Sequence, residues 1–281
     1  MSFAWSSTVE DYYPIEPTPR WGHGLPENER LLKAMQKFDE TYRNTLEELA
    51  SCGDLLNGVP IDVDVARPEL PNWNNHWFST LDAASLVGFI SLRKPKLYVE
   101  IGSGFSTRFA RYAISSLGLA TRLVSVDPYP RAEIDAICDE TVRSSLETCD
   151  VTLFDQLHGG DILFFDGSHR AFENSDVTVF FLEILPRLKP GVLVHIHDIC
   201  LPDDYPPVWK YRLYSEQYVL AAMLLCPSLP FKIVLPNYYV ATRPTFRELA
   251  NAVLSKCPAP VPLYYNNHGN IPPVSFWIET L

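Results

Sequence analysis

Hydrophobic residues in the central and C-terminal parts of the chain occur as short apolar runs separated by segments with helical periodicity. Seven runs, many rich in β-branched residues, predict strands: LYVEI (97–101), RLVSV (122–126), VTLF (151–154), DILFF (161–165), VLVHI (192–196), FKIVL (231–235) and SFWIE (275–279). The segments between them predict helices at about 106–117, 131–137, 174–187, 215–225 and 245–256. Apolar strands that alternate with helices are typical of an α/β fold whose parallel sheet is covered on both faces.

The N-terminal part of the chain has a different pattern. Four prolines within residues 1–30 predict an extended arm. Apolar positions at helical spacing over Glu27–Leu49 predict an amphipathic helix, and a second helix is predicted over Leu81–Leu92. The apolar stripe of the first helix must be covered, either over a ligand cleft or by a second subunit, and we expect a homodimer. We therefore divide the chain into an arm with a helical cap (1–80) and a main domain (81–281).

Composition and charge narrow the classes of partner. The chain has 281 residues with a formal net charge of -11, and its 23 Lys and Arg residues form no run. Nucleic acid and membrane surfaces are therefore not expected partners, since both attract clustered basic side chains. Six scattered cysteines without a CxxC pair indicate reduced thiols rather than a disulfide framework or a zinc site. With no signal-like N-terminus and no apolar run of spanning length, we expect a cytoplasmic protein.

Candidate chemistry begins where the first predicted strand of the sheet ends, in the sequence VEIGSGFST (99–107). Glycines in such a turn let a ligand approach the backbone closely. Thr107 stands where a dinucleotide-binding GxGxxG pattern has its third glycine, so a nicotinamide oxidoreductase is not favoured. Glu100 would repel a diphosphate but suits a ligand with an ammonium and a sulfonium group. Asp127, which follows the next strand, can accept hydrogen bonds from both hydroxyls of a ribose.

With these residues the chain resembles the class I S-adenosylmethionine-dependent methyltransferases. The segments GDILFFDGSHRAFENSDV (160–177) and LEILPRLKPGVLVHIHDI (182–199) resemble a subfamily with D-G/S-S-H and H-I-H-D-I segments. The resemblance implies a Rossmann-like, seven-stranded, mostly parallel sheet in the order 3-2-1-4-5-7-6, with helices on both faces. It also implies that S-adenosylmethionine binds to Glu100, Gly102, Ser103, Gly104 and Asp127, with Asp166 at the same edge of the sheet.

Four further side chains are candidates for catalysis at the carboxyl edge of the sheet: Asp166, His169, His197 and Asp198. In one hypothesis, His169 or His197 is a general base steered by Asp166 or Asp198. In the other, Asp166, His197 and Asp198 hold a divalent ion such as Mg²⁺ or Mn²⁺, an arrangement suggested by catechol-type methyltransferases. A histidine ligand speaks against magnesium, which prefers oxygen.

The sequence thus predicts an S-adenosylmethionine-dependent methyltransferase that methylates a hydroxyl of a sugar, a phenolic compound or another small molecule. Two alternatives stay open: a protein that binds the cofactor without turnover, and another transferase on the same scaffold, such as an aminopropyl transferase. His195, deeper in its strand, is expected to be structural. Glu216, Gln217 and Tyr218 could line the acceptor pocket, and Trp73 and Trp77 could stack on an acceptor, although core packing is commoner.

Overall fold

The computed structural model describes residues 15–130, 132–258 and 272–281. Among them, no helix has the length and apolar character that crossing a bilayer requires. Part of the predicted arm, residues 1–14, lies outside the described residues, as does most of the proline- and asparagine-rich loop before the last strand.

A seven-stranded sheet with the order β3-β2-β1-β4-β5-β7-β6 forms the centre of the fold. Its strands are β1 (Leu97–Ile101), β2 (Arg122–Val126), β3 (Glu140–Val142), β4 (Ile162–Phe165), β5 (Leu193–Ile196), β6 (Phe231–Pro236) and β7 (Phe276–Thr280). The first five strands pair in parallel, whereas β7 is antiparallel to both β5 and β6. The predicted order and the reversed last strand are confirmed. In this arrangement the carboxyl ends of β1, β2, β4 and β5 lie along one edge, where ligands of such sheets bind.

The α-helices of the described residues precede the sheet or connect its strands. They are α1 (Glu29–Gln36), α2 (Asp39–Ser51), α3 (Gly53–Leu56), α4 (Thr80–Arg93), α5 (Phe105–Ser116), α6 (Asp176–Val179), α7 (Glu216–Leu224), α8 (Asn237–Thr242) and α9 (Pro244–Val253). The apolar stripe predicted over Glu27–Leu49 is divided between α1 and α2, and most of its side chains are buried in the main core, with Leu32 and Phe38 partly buried against it. Helix α2 packs against α4, α9 and β6. The stripe is thus covered by the same chain and does not require a second subunit. Homodimerisation stays a prediction that this stripe does not support.

Two sequence-based assignments of secondary structure are wrong. The run VTLF (151–154) is not a strand but part of a 3₁₀ segment, Val151–Gln156, capped by the side chain of Asp150. Only Phe154 of the four is buried, and a short apolar run does not distinguish a strand from a buried turn. The third strand is instead Glu140–Val142, a polar edge strand with no apolar pattern. The helix predicted over 174–187 is not a continuous α-helix. Helix α6 is followed by a π-helical turn (Phe180–Ile184) and then by a 3₁₀ turn that contains Pro186.

Candidate active site

The turn after β1 is locked against the neighbouring strand β4. Gly102 has a φ of +78°, a conformation that side chains rarely adopt, and a Cβ built on it would lie 1.8 Å from the carbonyl oxygen of Asp166. The turn is further held by hydrogen bonds from Gly102 N to the Val126 carbonyl and from Asp166 N to the Ile101 carbonyl, at 3.1 and 2.9 Å. Only glycine fits at position 102.

Thr107, which stands where a dinucleotide-binding pattern has its third glycine, lies in the first turn of α5. Its hydroxyl oxygen accepts a hydrogen bond from Gly104 N at 2.9 Å, which satisfies an amide at the start of α5. The sequence-based exclusion of the dinucleotide pattern therefore has a structural counterpart: the position has a capping function that a glycine could not provide.

Glu100 is fully buried beneath the glycine turn. One of its carboxyl oxygens, Oε1, accepts a hydrogen bond from the Ser106 hydroxyl, whereas Oε2 has no hydrogen-bond partner among the described residues. Burial raises the pKa of Glu100 to about 8, although the hydroxyls of Ser106 and Thr107 oppose the shift. An unpartnered buried carboxyl oxygen at this edge suits a cationic group such as an ammonium.

Asp127, at the end of β2, organises the same turn from the other side. Its Oδ2 accepts a hydrogen bond from Ser103 N and its Oδ1 one from Tyr129 N, both at 2.7 Å. Each carboxylate oxygen has a second lone pair, so both can still accept a hydrogen bond from a ligand. Asp127 lies in the wall of a cavity of about 430 Å³ that is also lined by Gly102, Ser103 and Asp166.

A second cavity, of about 490 Å³, lies next to the first, and Asp166 lines both. The described residues that line the second cavity are His76, Trp77, Ser79, Asp82, Asp166, His169, His197, Asp198, Val208, Trp209, Arg212, Tyr214, Pro272 and Val274. We call these two spaces the turn cavity and the acidic cavity. Asp166 therefore stands at the boundary between the space beside the glycine turn and a space lined by several ionisable side chains.

His169 brings three acidic residues together at this boundary. Its Nε2 lies 3.2 Å from Asp166 Oδ1 and 3.4 Å from Asp198 Oδ2, and its Nδ1 lies 2.8 Å from Glu216 Oε2. Both His169 and Asp198 have a left-handed backbone, with φ of +62° and +54°. Such conformations in residues other than glycine persist where the surroundings enforce them, and they cluster at functional sites.

The charges in this cluster are strongly coupled. Burial lowers the pKa of His169, but Asp198, Asp166 and Glu216 together raise it well above its usual value. Burial raises the pKa of Glu216 to about 7, although the contact with His169 opposes this shift. The surrounding carboxylates thus favour the protonated form of the imidazole.

The other two candidate histidines stand apart from the cluster. His195 is fully buried, stacks on Phe164 with 3.7 Å between ring centroids, and its Nε2 is 2.7 Å from the Ser275 hydroxyl oxygen. Burial lowers its pKa well below the usual value, so it is a neutral core residue, as expected from its depth in the strand. His197 lines the acidic cavity and contacts the ring of Phe78, and its Nε2 is 3.8 Å from Asp198 Oδ1.

The three residues proposed as metal ligands are not arranged around a common point. Across residues 15–130, 132–258 and 272–281, no group of three His, Cys, Asp or Glu side chains has a metal-binding arrangement. Asp166 and Asp198 instead face the His169 imidazole, which lies between them. The residues as placed do not fit a divalent ion.

Several side chains of the acidic cavity were not singled out from the sequence. Asp82, at the start of α4, accepts hydrogen bonds from the amides of Val274 and Ser275 and from Asn237. Trp209, Arg212 and Tyr214 come from residues 207–214, where no site residue was predicted from the sequence. Trp77 lines this cavity with 54% of its surface exposed, whereas Trp73 is buried in the core against Phe109.

Comparison with known protein families gives a match over the middle of the chain. Residues 99–199 match a family model described as a methyltransferase domain. No curated protein matches the chain. Among solved structures, the SAH-bound methyltransferase PaMTH1 from Podospora anserina is 16% identical with a TM-score of 0.39, and the match covers 75% of this chain and 93% of PaMTH1.

Two further solved structures show distant similarity. A Klebsiella pneumoniae protein with a provisional O-methyltransferase assignment is 14% identical with a TM-score of 0.34, over 73% of this chain and 86% of that protein. The plantazolicin methyltransferase BpumL, in complex with a monoazolic desmethylPZN analogue and SAH, is 12% identical with a TM-score of 0.38, over 90% of this chain and 96% of BpumL. The glycine turn, Asp127, Asp166 and His169 all lie within the segment that matches the family model.

Proposed function

We propose that this chain, a class I S-adenosylmethionine-dependent methyltransferase, methylates a hydroxyl oxygen of a small molecule. The observation that carries the proposal is the shared position of Asp166, which lines both the turn cavity and the acidic cavity. A group transfer needs the donor and the acceptor on either side of one boundary, with the reacting atoms close and aligned.

The residues of the turn cavity fit S-adenosylmethionine. Gly102 lets the turn pack closely against the Asp166 backbone, and Asp127, in the cavity wall, has lone pairs for two ribose hydroxyls. The Oε2 of Glu100, buried beneath the turn, is an unpartnered acceptor among the described residues. We assign Glu100, Gly102, Ser103, Gly104 and Asp127 to cofactor binding. When bound, the cofactor supplies an electrophilic methyl group on a sulfonium.

On the acceptor side, His169 is the preferred general base. Glu216 holds Nδ1 at 2.8 Å and thereby orients the ring, while Nε2 faces Asp166 and Asp198 at the edge of the acidic cavity. In the proposed mechanism, Nε2 of neutral His169 takes the proton of the acceptor hydroxyl, and the carboxylates stabilise the imidazolium that forms. Because they also favour the protonated ring before reaction, the fraction of active enzyme should increase as the pH rises.

His197 is the second candidate base, and it lacks a carboxylate within hydrogen-bonding distance of Nε2 that would orient its ring. Asp198, which lies beside both rings, would contribute charge in either case. The aminopropyl-transferase alternative would need carboxylates available for a polyamine, and the contacts of Asp166 and Asp198 with His169 disfavour it.

Two measurements test this function in order. S-adenosylhomocysteine should raise the melting temperature, whereas NADH should have no effect. At a hundredfold excess over the dissociation constant, the ligand should increase the free energy of unfolding by about 2.7 kcal/mol. Incubation with methyl-labelled S-adenosylmethionine and a panel of catechols, phenolic acids and sugars should then yield a methyl ether, identified by mass spectrometry. Absence of any stabilisation by millimolar S-adenosylhomocysteine would contradict the cofactor assignment; a product methylated only on nitrogen or carbon would contradict the assignment to oxygen.

A further inference from the structure

The acidic cavity contains one guanidinium among its described lining residues, that of Arg212, and no Lys side chain. The carboxylates around it are already engaged. Asp82 accepts hydrogen bonds from two backbone amides and from Asn237, and Asp166 and Asp198 face the imidazole of His169. These three carboxylates thus have partners other than Arg212.

Arg212 is held in place by aromatic side chains rather than by an acid. Its guanidinium lies 4.7 Å from the ring centroid of Trp209 and 5.4 Å from that of Tyr214, and Nη1 donates a hydrogen bond to the Tyr214 hydroxyl at 3.3 Å. Within the described parts of the chain, no carboxylate forms an ion pair with Arg212. A guanidinium stacked on aromatic rings is pre-organised, weakly hydrated, and keeps N–H donors for a planar anion.

The backbone around Arg212 is constrained as well. Leu213, which is not glycine, has a left-handed φ of +55°, and this turn places Arg212 and Tyr214 in the wall of one cavity. The Arg212 carbonyl oxygen accepts a hydrogen bond from Arg170 Nε at 2.8 Å, which ties the loop to the segment that follows β4. Left-handed residues other than glycine cluster at functional sites.

From these observations we infer that the methyl acceptor carries a carboxylate, bound by Arg212 between Trp209 and Tyr214, in addition to its reacting hydroxyl. The inference rests on the proposed function, because it concerns the acceptor of the same transfer. The substrate class is that of hydroxylated carboxylic acids. Arg212 would determine specificity, since it binds the part of the acceptor that does not react.

The experiment compares acids with esters that lack the charge. Binding of 3,4-dihydroxybenzoate and of glycerate, each beside its methyl ester, is measured by calorimetry on the full chain saturated with S-adenosylhomocysteine. At least one acid should bind about tenfold to a hundredfold more tightly than its ester, the range expected for hydrogen bonds to a charged group. R212Q should abolish this preference, and R212K should retain part of it because lysine keeps the charge but not the planar donor pair.

Lys210 offers a matched control. It is a neighbouring cation, 5.9 Å from the ring centroid of Tyr211, and it does not line the acidic cavity. K210Q should leave the preference for the acid unchanged. Equal binding of acids and esters, a preference that survives in R212Q, or binding of neither by a protein that still binds S-adenosylhomocysteine would each overturn the inference. Failure to bind S-adenosylhomocysteine would instead contradict the proposed function.

Discussion

Gly102 and Asp166 are in direct backbone contact across two neighbouring strands, so that the turn beside β1 and the residue after β4 are fitted to each other. A single added Cβ on Gly102 would lie 1.8 Å from the Asp166 carbonyl oxygen and 2.9 Å from its carbonyl carbon. The proposed cofactor site and the proposed acceptor site are therefore mechanically connected. A change in the glycine turn should be felt at Asp166, and through Asp166 at His169.

Gly102→Ala tests this connection. The added methyl group must displace the Asp166 backbone, and alanine at position 102 must adopt an unfavourable φ. We therefore expect the folding free energy to weaken by about 1–3 kcal/mol and the S-adenosylhomocysteine affinity to fall strongly. Gly118→Ala is the matched control, because Gly118 also has a positive φ, +62°, but an added Cβ would meet no atom within 4 Å. It should lower stability through backbone strain alone and leave the affinity unchanged. Comparable affinities of the two variants would show that the fit of Gly102 to Asp166 is not needed for binding.

Asp127→Asn tests the assignment of the ribose hydroxyls. The amide keeps the shape and one acceptor oxygen but loses the charge, so S-adenosylhomocysteine affinity should fall by about tenfold or more in calorimetry. Asp139→Asn is the control, since Asp139 likewise accepts a backbone hydrogen bond, from Leu123 N at 2.7 Å, and does not line the turn cavity. It is expected to affect stability only. Unchanged affinity in the Asp127 variant would remove this residue from the cofactor site.

The buried carboxyl group of Glu100 predicts a specific dependence of stability on pH. Below pH 4.5 the group is protonated in the folded and the unfolded chain, and it contributes no pH dependence. Between 4.5 and about 8, the folded chain retains a proton that the unfolded chain releases. The free energy of unfolding should therefore fall with rising pH, by up to about 1.4 kcal/mol per pH unit.

Glu100→Gln removes this titration while keeping a similar shape. Urea unfolding at pH 5, 6, 7 and 8 should show the variant gaining stability relative to the parent as the pH rises, because only the parent must take up a proton at this position when it folds. A stability difference that does not change with pH would mean that the carboxyl group titrates normally in the folded chain.

A chelator distinguishes a mechanism with His169 as the general base from one that depends on a divalent metal ion. With His169 as the base, transfer should survive EDTA, and the activity should rise with pH through a value above the ordinary imidazole pKa, because the three acids favour the protonated ring. His169→Ala should lower kcat by about 10²–10⁴-fold with little change in S-adenosylhomocysteine affinity. Loss of activity in EDTA with recovery in Mg²⁺ or Mn²⁺ would favour the metal hypothesis instead.

His197→Ala, measured beside it, decides between the two histidines. A modest loss is expected, since Nε2 of His197 is 3.8 Å from Asp198 Oδ1, too far for a hydrogen bond that would orient the ring. Because removal of His169 leaves Glu216 buried without its partner, the melting temperature and cofactor affinity of each variant must be measured first. Full activity in both variants, together with indifference to EDTA, would place the reaction elsewhere.

The central strands and the glycine turn can be predicted from the sequence alone. Strands β1, β2, β4 and β5 are buried on both faces, and continuous apolar runs report that burial directly. The glycine turn and Asp127 are equally visible, because their conformations and contacts involve residues close to a strand end. The edge strand β3 and the 3₁₀ segment Val151–Gln156 were missed, because a polar edge strand and a short apolar turn carry no distinguishing period.

The arrangement of the proposed acceptor site, in contrast, depends on contacts between residues that are distant in the sequence. Glu216 is 47 residues from His169 along the chain, yet its carboxylate is 2.8 Å from the ring. Arg212 stacks on Trp209, which lies in the same 3₁₀ segment (Pro207–Arg212), and on Tyr214, which follows that segment. Such contacts depend on how loops return to the sheet edge, and no local hydrophobic period or turn preference encodes that path. The carboxylates of Asp166 and Asp198, suggested as metal ligands, are another example. The strand order brings both residues to one edge of the sheet, but their contacts with the His169 imidazole could not be predicted from it. Both His169 and Asp198 have a left-handed backbone conformation.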